Sequence, residues 1–195
     1  MNENTSTKIV IGECRLSYCH LFTPEAASEG SEKKYSVSII IPKSNKKLVN
    51  EINAAIAAAA QAGIAKFGGR KPANLKTPLR DGDEDRPDDD AYADSWFINA
   101  TSRTKPGVVK ASKVMGETKL VEVSNEDEVY SGCYGWVSVN FFAYNNAGNR
   151  GIAAGLNNVL KTKDGEFLGG RSSAQSDFSG IDLGGSLEDD EDMPY

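Results

Sequence analysis

The chain has 195 residues, of which 39% are hydrophobic and 26% are charged, so it is long enough to form one domain with a sizeable buried core. Its apolar runs fall well short of the roughly 20 residues of a membrane-spanning helix, and the N-terminus shows no basic and apolar regions of a signal peptide, so we expect no membrane partner. The three cysteines are too few for a disulfide scaffold and indicate a reducing compartment.

The formal net charge of −6 is distributed very unevenly along the chain. Residues 81–94 contain eight acids and one base, and residues 172–195 contain seven acids and no base. The remaining residues comprise 13 acids and 21 bases, an excess of +8. The folded part is therefore predicted to be basic, and the overall charge is a poor guide to its binding partners.

The first half of the chain predicts two strands, a helix and a long loop. Residues 8–18 and 34–42 are rich in β-branched residues and are typical of strands. Ser44 is the predicted N-cap of a helix that runs to about Phe67 and ends at a Gly-Gly pair. Residues 70–94 contain three prolines and dense charge, which predicts a long loop, either ordered or mobile.

Strands dominate the second half of the chain. The predicted strands cover residues 95–103, 107–112, a short part of 117–132, 133–145 and 150–170. The sequence Asn-Ala-Gly-Asn at 146–149 is a typical hairpin turn between the last two. Several strands with one helix between them predict a mainly β fold, an OB-type five-stranded barrel with one inserted helix and long loops.

The C-terminal segment differs in composition from the rest of the chain. From residue 172 onward Gly, Ser and Asp predominate, and the few apolar residues cannot offset the ~1–2 kcal/mol per residue that backbone ordering costs. We therefore expect two units, a barrel domain at 1–171 and a disordered acidic tail at 172–195.

The strand at 134–144 has two different faces, because side chains alternate along a strand. One face is suited to a core and consists of Gly135, Val137, Val139, Phe141 and Ala143. The other carries four aromatic and two polar residues, namely Tyr134, Trp136, Ser138, Asn140, Phe142 and Tyr144. Aromatic side chains in strands serve packing about as often as binding. The two polar groups would need partners in a dry core, whereas an exposed face could stack unpaired bases at about 1–3 kcal/mol per base.

We therefore predict that rings from this strand and from the preceding strong strand stack bases, in the order Trp136, Phe142, Tyr144, Tyr134 and Phe97. Phosphate contacts are expected from basic residues that flank these strands in the sequence, namely Arg80, Arg103, Lys105, Lys110 and Arg150. Each of these cations alone would be interpreted as a solvated surface charge. Together with the +8 excess they indicate a cationic groove.

Several blocks of the sequence resemble one protein family. The blocks are "KYSVSIIIPK", "PLRDGDE", "FINATSRTKPGVV" and "YSGCYGWVSVNFFAYNNAGNRGIAAGLNNV", followed by the acidic end. From about Lys8 to Phe178 the chain resembles a family of bacteriophage single-stranded-DNA-binding proteins. The resemblance implies an OB fold, sequence-independent binding of single strands in phage DNA replication and recombination, and a location in the host cytoplasm. It assigns no individual DNA contact.

The end of the chain combines a run of acids with an aromatic tip, namely Glu188, Asp189, Asp190, Glu191, Asp192 and Tyr195. This arrangement resembles the tails of single-strand binders generally. A tethered polyanion is expected to compete with DNA for a cationic groove and, once displaced, to recruit replication or recombination proteins. The alternative is a tail that only improves solubility.

The acidic loop raises the alternative of a metal site. Asp81, Asp83 and Asp85 match the opening of a calcium loop, but Arg86 and Tyr92 occupy the positions that need glycine and glutamate. A magnesium-dependent nuclease is the enzymatic alternative, although acids that are adjacent in one flexible loop lack fixed geometry. A third hypothesis is a polyanion that tunes DNA access or contacts a neighbouring subunit.

Cysteine and histidine residues raise the alternative of zinc, with Cys14, Cys19, His20 and Cys133 as the candidate ligands. Neighbouring strand residues point to opposite faces, which makes the adjacent pair an awkward ligand set. The chain has a single histidine and no phosphate-binding loop motif, so we expect a protein that is not an enzyme and needs no cofactor or metal. A virion assembly protein remains an alternative, and the oligomeric state, including a homo-oligomer, stays open.

Overall fold

The computed structural model describes residues 6–169; the predicted tail at 172–195 and its boundary lie outside them. The strands are β1 (Lys8–Ala26), β2 (Lys33–Pro42), β3 (Leu79–Asp81), β4 (Ser95–Ser102), β5 (Gly107–Val114), β6 (Glu117–Glu122), β7 (Tyr134–Asn146) and β8 (Asn149–Lys163). The helices are α1 (Lys46–Ala62) and the short α2 (Gly82–Asp85). No helix in this part of the chain is long and apolar enough to cross a membrane.

Five of the strands close a barrel. β1 pairs antiparallel with β2 and β7, β2 pairs with β4, and β7 pairs with β8. A parallel pairing of β8 with β4 closes the ring in the order β1–β2–β4–β8–β7. The predicted OB-type five-stranded barrel is thereby confirmed. β3 extends the sheet beyond β4, and the hairpin of β5 and β6 extends it beyond β8.

The core lies inside the barrel and beneath α1. Inward side chains of β7, such as Val137 and Phe141, are buried against Ile52 and its neighbours on the helix. Two details differ from the predictions. Asn45 rather than Ser44 caps α1, because its side chain accepts a hydrogen bond from the Leu48 amide at 3.3 Å. The helix also ends at Ala62, and the residues up to position 67 form a separate 3₁₀ turn.

Candidate nucleic-acid interface

The outer face of β7 presents aromatic rings to solvent. Trp136 and Phe142 are each 43% exposed, while Tyr134 and Tyr144 are half-buried. The five residues assigned to the inner face are all buried. The alternation predicted for this strand is therefore confirmed, and the rings lie on the outside of the barrel.

Each ring of this row lies against a glycine of a neighbouring segment. A Cβ built on each glycine would approach the ring at 1.8 Å (Gly12 and Trp136), 2.6 Å (Gly151 and Tyr144), 2.7 Å (Gly165 and Tyr134) or 3.4 Å (Gly155 and Phe142). For Trp136 the adjacent atoms Cε3, Cδ2 and Cζ3 all lie within 2.3 Å of that position, so the indole covers the glycine backbone. Without a side chain beneath it, the ring rests on β1 and leaves its other side open.

β1 adds residues to the same face that the sequence pattern did not reveal. Lys8 is paired with Asn140 and Val10 with Ser138, so their side chains share the outer face of β7. Both β1 residues are exposed. The Thr7 hydroxyl donates to the Asn140 side-chain oxygen at 3.1 Å, which fixes one of the two polar groups in the row.

Two further cations lie at the Tyr134 end of the row. The Lys163 ammonium is 4.7 Å from the centroid of the Tyr134 ring, and the Arg15 guanidinium is 6.0 Å from it. Both distances fall within the range of cation–π contacts. Lys163 also lies 3.6 Å from Glu13, an ion pair that is exposed to solvent. Rings and cations therefore share the outer face of β1, β7 and β8.

The five cations predicted from the sequence do not gather around this row. Arg80 pairs with Asp85 at 2.7 Å, Arg103 pairs with Glu32 at 3.0 Å, and Lys110 pairs with Glu128. The Lys105 ammonium lies 5.5 Å from the centroid of the Phe22 ring. Arg150 alone of the five lies beside β7, where it is exposed and paired with Asn145.

Phe97 is a core residue, so its prediction as a stacking residue is wrong. It is 0% exposed and forms a small second core with Ile40 and Tyr92. The Tyr92 ring meets it edge-on, with centroids 5.1 Å apart, and the Tyr92 hydroxyl donates to the Ser38 hydroxyl at 2.9 Å. The outer side of β2 and β4 at this point is therefore covered by protein.

The covering residues belong to the acidic segment 81–94, here called the acidic cover. Of the two alternatives predicted for this loop, ordered or mobile, the structure shows the ordered one, because two carboxylates are anchored. The Lys43 ammonium lies 2.6 Å from Asp81 and from Asp83, and these hydrogen bonds raise the pKa of Lys43 above its usual range. The same lysine lowers the pKa of Asp83, whose other oxygen accepts a hydrogen bond from the Asp94 amide at 2.9 Å.

A second anchor of the acidic cover is Arg86. Its guanidinium lies 4.7 Å from the centroid of Tyr92, 5.3 Å from Phe97 and 4.9 Å from Tyr18, and it donates to the Tyr18 hydroxyl at 3.1 Å. The cover thus places a segment with eight acids beside β2 and β4, while the exposed rings and the cations Lys8, Arg15 and Lys163 lie over β1, β7 and β8. A polyanion is repelled from the first side and attracted to the second.

Within residues 6–169 no three His, Cys, Asp or Glu side chains are grouped as metal ligands. His20 faces Glu25 at 3.5 Å, and burial raises the pKa of the Cys14 thiol to about 12. Cys19 and Cys133 share a hydrogen bond, which lowers the pKa of Cys133. In the described residues only two of the four candidate zinc ligands, Cys19 and Cys133, are in contact, and Asp81 and Asp83 are brought together around the Lys43 ammonium.

A closed five-stranded barrel with rings and cations on one outer face defines an OB-fold protein of the kind that binds nucleic acid strands. The chain belongs to the family described as "Enterobacter phage Enc34, ssDNA-binding protein", whose profile matches residues 7–193. The resemblance found in the sequence is thereby confirmed.

Relatives with similar sequences or structures come from phages. Protein p50 of Acyrthosiphon pisum secondary endosymbiont phage 1 is 29% identical over 191 residues, covering 90% of this chain and 95% of the relative. The structure of the single-stranded-DNA-binding protein of bacteriophage Enc34 in complex with ssDNA has a TM-score of 0.71 at 30% identity, covering 84% of this chain and 90% of that one. Bacteriophage T7 gp2.5, at 15% identity and a TM-score of 0.53 over 93% and 98% of the two chains, shares the fold.

Proposed function

We propose that this protein binds single-stranded DNA, independently of sequence, along the outer face of β1, β7 and β8. The observation that carries the proposal is the pair of exposed rings, Trp136 and Phe142, which lie against Gly12 and Gly155. Every base has a π face, so stacking on such rings does not depend on sequence. In a duplex the base faces are already stacked on each other, and the rings therefore favour unpaired strands.

Cations around the rings supply the electrostatic part of binding. Lys8, Arg15 and Lys163 border the row, and Arg150 lies at the start of β8. The acidic cover on the opposite side prevents a strand from wrapping around the whole barrel. Arg103 and Lys105 form exposed contacts that are weak enough to be exchanged for phosphate if a long strand reaches them.

The role is one of binding without catalysis, in phage DNA replication and recombination in the host cytoplasm. The Enc34 protein is described as a single-stranded-DNA-binding protein, and family membership supports the same activity here. The acidic tail at 172–195 would compete with DNA at low salt and recruit replication or recombination proteins when displaced. Deleting residues 172–195 should then raise the affinity for oligonucleotides at low salt, and an unchanged affinity would refute the competition.

The proposed function is tested by fluorescence anisotropy with labelled oligothymidylate and with a duplex of equal length. We expect strong preference for the single strand, a loss of affinity for Trp136→Ala, and no loss for Tyr18→Ala, an equally exposed aromatic beside the acidic cover. Equal binding of duplex and single strand, or equal losses in the two variants, would overturn the proposal. Incubation of the labelled strand with magnesium should leave it intact, whereas cleavage would favour the nuclease.

A further inference from the structure

The hairpin of β5 and β6 projects from the barrel and carries exposed apolar side chains. Met115 at its tip is 99% exposed and Leu120 on β6 is 63% exposed. The two-residue turn has positive φ at Met115 (53°) and Gly116 (84°). Asn or Gly would suit the first turn position better than Met, so the turn itself does not explain the methionine.

The outer face of β7 continues without interruption onto this hairpin. Trp136 is paired with Leu160 of β8, and Leu160 is paired with Val109 of β5. Paired residues of neighbouring strands share a face of the sheet. From the Trp136 ring an apolar row therefore crosses β8 and reaches β5.

The same face extends along the hairpin to its outer strand. Two residues after Val109 comes Ala111, which is paired with Leu120, and two residues later comes Lys113, paired with Thr118. Since side chains alternate, all of these lie on the face of Trp136. Three strand spacings, about 14 Å, separate Trp136 from β6.

The opposite face of the hairpin has a different character. Lys119 is paired with Ser112 and therefore points away from the Trp136 side, where it lies 3.4 Å from Glu117. Lys110, also on that face, is paired with Glu128. On the Trp136 side the hairpin carries one exposed cation, Lys113, and one exposed anion, Glu122, which is paired with Val109.

We propose that the outer face of the β5–β6 hairpin, centred on Leu120 and Lys113, is a second contact site for single-stranded DNA. This inference rests on the proposed function, because its occupant is the continuation of the strand stacked on Trp136. Leu120 contacts a base or sugar and Lys113 contacts a phosphate. The occupant follows from the continuity of the apolar row with the ring platform and from Lys113, which lies near the tip, four residues along the strand from the pair that contains Glu122.

The test uses the full chain and oligothymidylates of about 6 and about 16 nucleotides, which span the site sizes of OB folds. Leu120→Ala should weaken binding of the longer strand about fivefold through lost apolar contact. Lys113→Ala should lower the salt dependence of that binding by about 0.7, the value for one phosphate contact of a single strand. Both variants should change binding of the shorter strand less, because six nucleotides can occupy the ring row without reaching the hairpin.

Lys119→Ala is the matched control, since it removes the same charge from the same hairpin on the opposite face. Equal effects of Lys113→Ala and Lys119→Ala, or equal losses for both strand lengths, would overturn the inference. So would a variant that alters only cooperative binding to long polymers, because the hairpin would then contact a second protein copy. Trp136→Ala, measured in parallel, reports on the proposed function separately, because it should weaken binding of both strand lengths.

Discussion

The contact between the Trp136 ring and the Gly12 backbone permits a test that moves the ring without deleting it. In Gly12→Ala the new Cβ would lie 1.8 Å from Cε3 and 2.1 Å from Cδ2 of the indole. Carbon atoms in contact are about 3.5–4.0 Å apart, so the ring must move by roughly 2 Å or tilt. The backbone at Gly12 does not require a positive φ, and the strand itself therefore accepts alanine.

The magnitudes follow from the energy of base stacking. Removing the ring in Trp136→Ala should cost about 1–3 kcal/mol, which is roughly a 5- to 150-fold loss of affinity. Gly12→Ala should lose part of this, because the ring is displaced but present. In the double variant the added methyl has no ring to displace, so its affinity should equal that of Trp136→Ala alone.

The wild type, the two single variants and the double variant form a double-mutant cycle. Anisotropy titrations with labelled oligothymidylate measure their affinities, and urea unfolding measures the stability of each variant. Gly155→Ala is the control, because its Cβ would lie 3.4 Å from the Phe142 ring, an ordinary contact, and should have little effect. Additive losses from Gly12→Ala and Trp136→Ala, or a Gly12→Ala variant that binds like the wild type, would refute the account of the ring platform.

Three further variants test the core, the acidic cover and the cations. Phe97→Ala should lower the free energy of unfolding by about 3–5 kcal/mol in urea titrations and leave DNA affinity of the folded protein unchanged; lost affinity at unchanged stability would contradict its burial. Asp83→Asn should lower the melting temperature at pH 7. The Lys43 hydrogen bond lowers the folded-state pKa of Asp83, so its stabilisation is present above the unfolded value of about 3.9 and lost as pH falls through the folded value. A deficit that does not shrink as the pH falls below about 3.9 would be inconsistent. Lys8→Ala should reduce the salt dependence of binding by about 0.7, whereas Lys46→Ala on α1 should not, and equal reductions would argue against a contact at Lys8.

The alternation of β7 was accessible from the sequence because one face is apolar and the other mixed, a pattern that fixes which side faces the core. The ends of the strands were harder to predict from the sequence. β1 was predicted to end at Tyr18 and continues to Ala26. Tyr18 has a φ of 47° and lies at a register shift in the pairing with β2, and this irregularity allows the strand to bend and go on.

Contacts between distant segments explain the remaining differences. The composition of residues 70–94 predicted a loop. The acidic cover is anchored by Lys43 and by the small second core of Ile40, Tyr92 and Phe97, and these long-range contacts leave no local pattern in the sequence. The same cover buries Phe97, since alternation cannot say what lies on an outer face. Lys8 and Gly12 were missed because they depend on how β1 pairs with β7, and Gly151 and Gly155 because they depend on how β8 pairs with β7.

The position of β8 has a consequence for synthesis of the protein. This last strand of the ring lies between β7 and β4, so the ring stays open until residues up to 163 have emerged from the ribosome. Until then the nascent chain exposes the backbone edges of two long strands, which are templates for wrong pairing with other polypeptides. Joining strands so far apart in the chain is also slow. Prematurely terminated products would therefore be insoluble rather than weaker versions of the complete molecule.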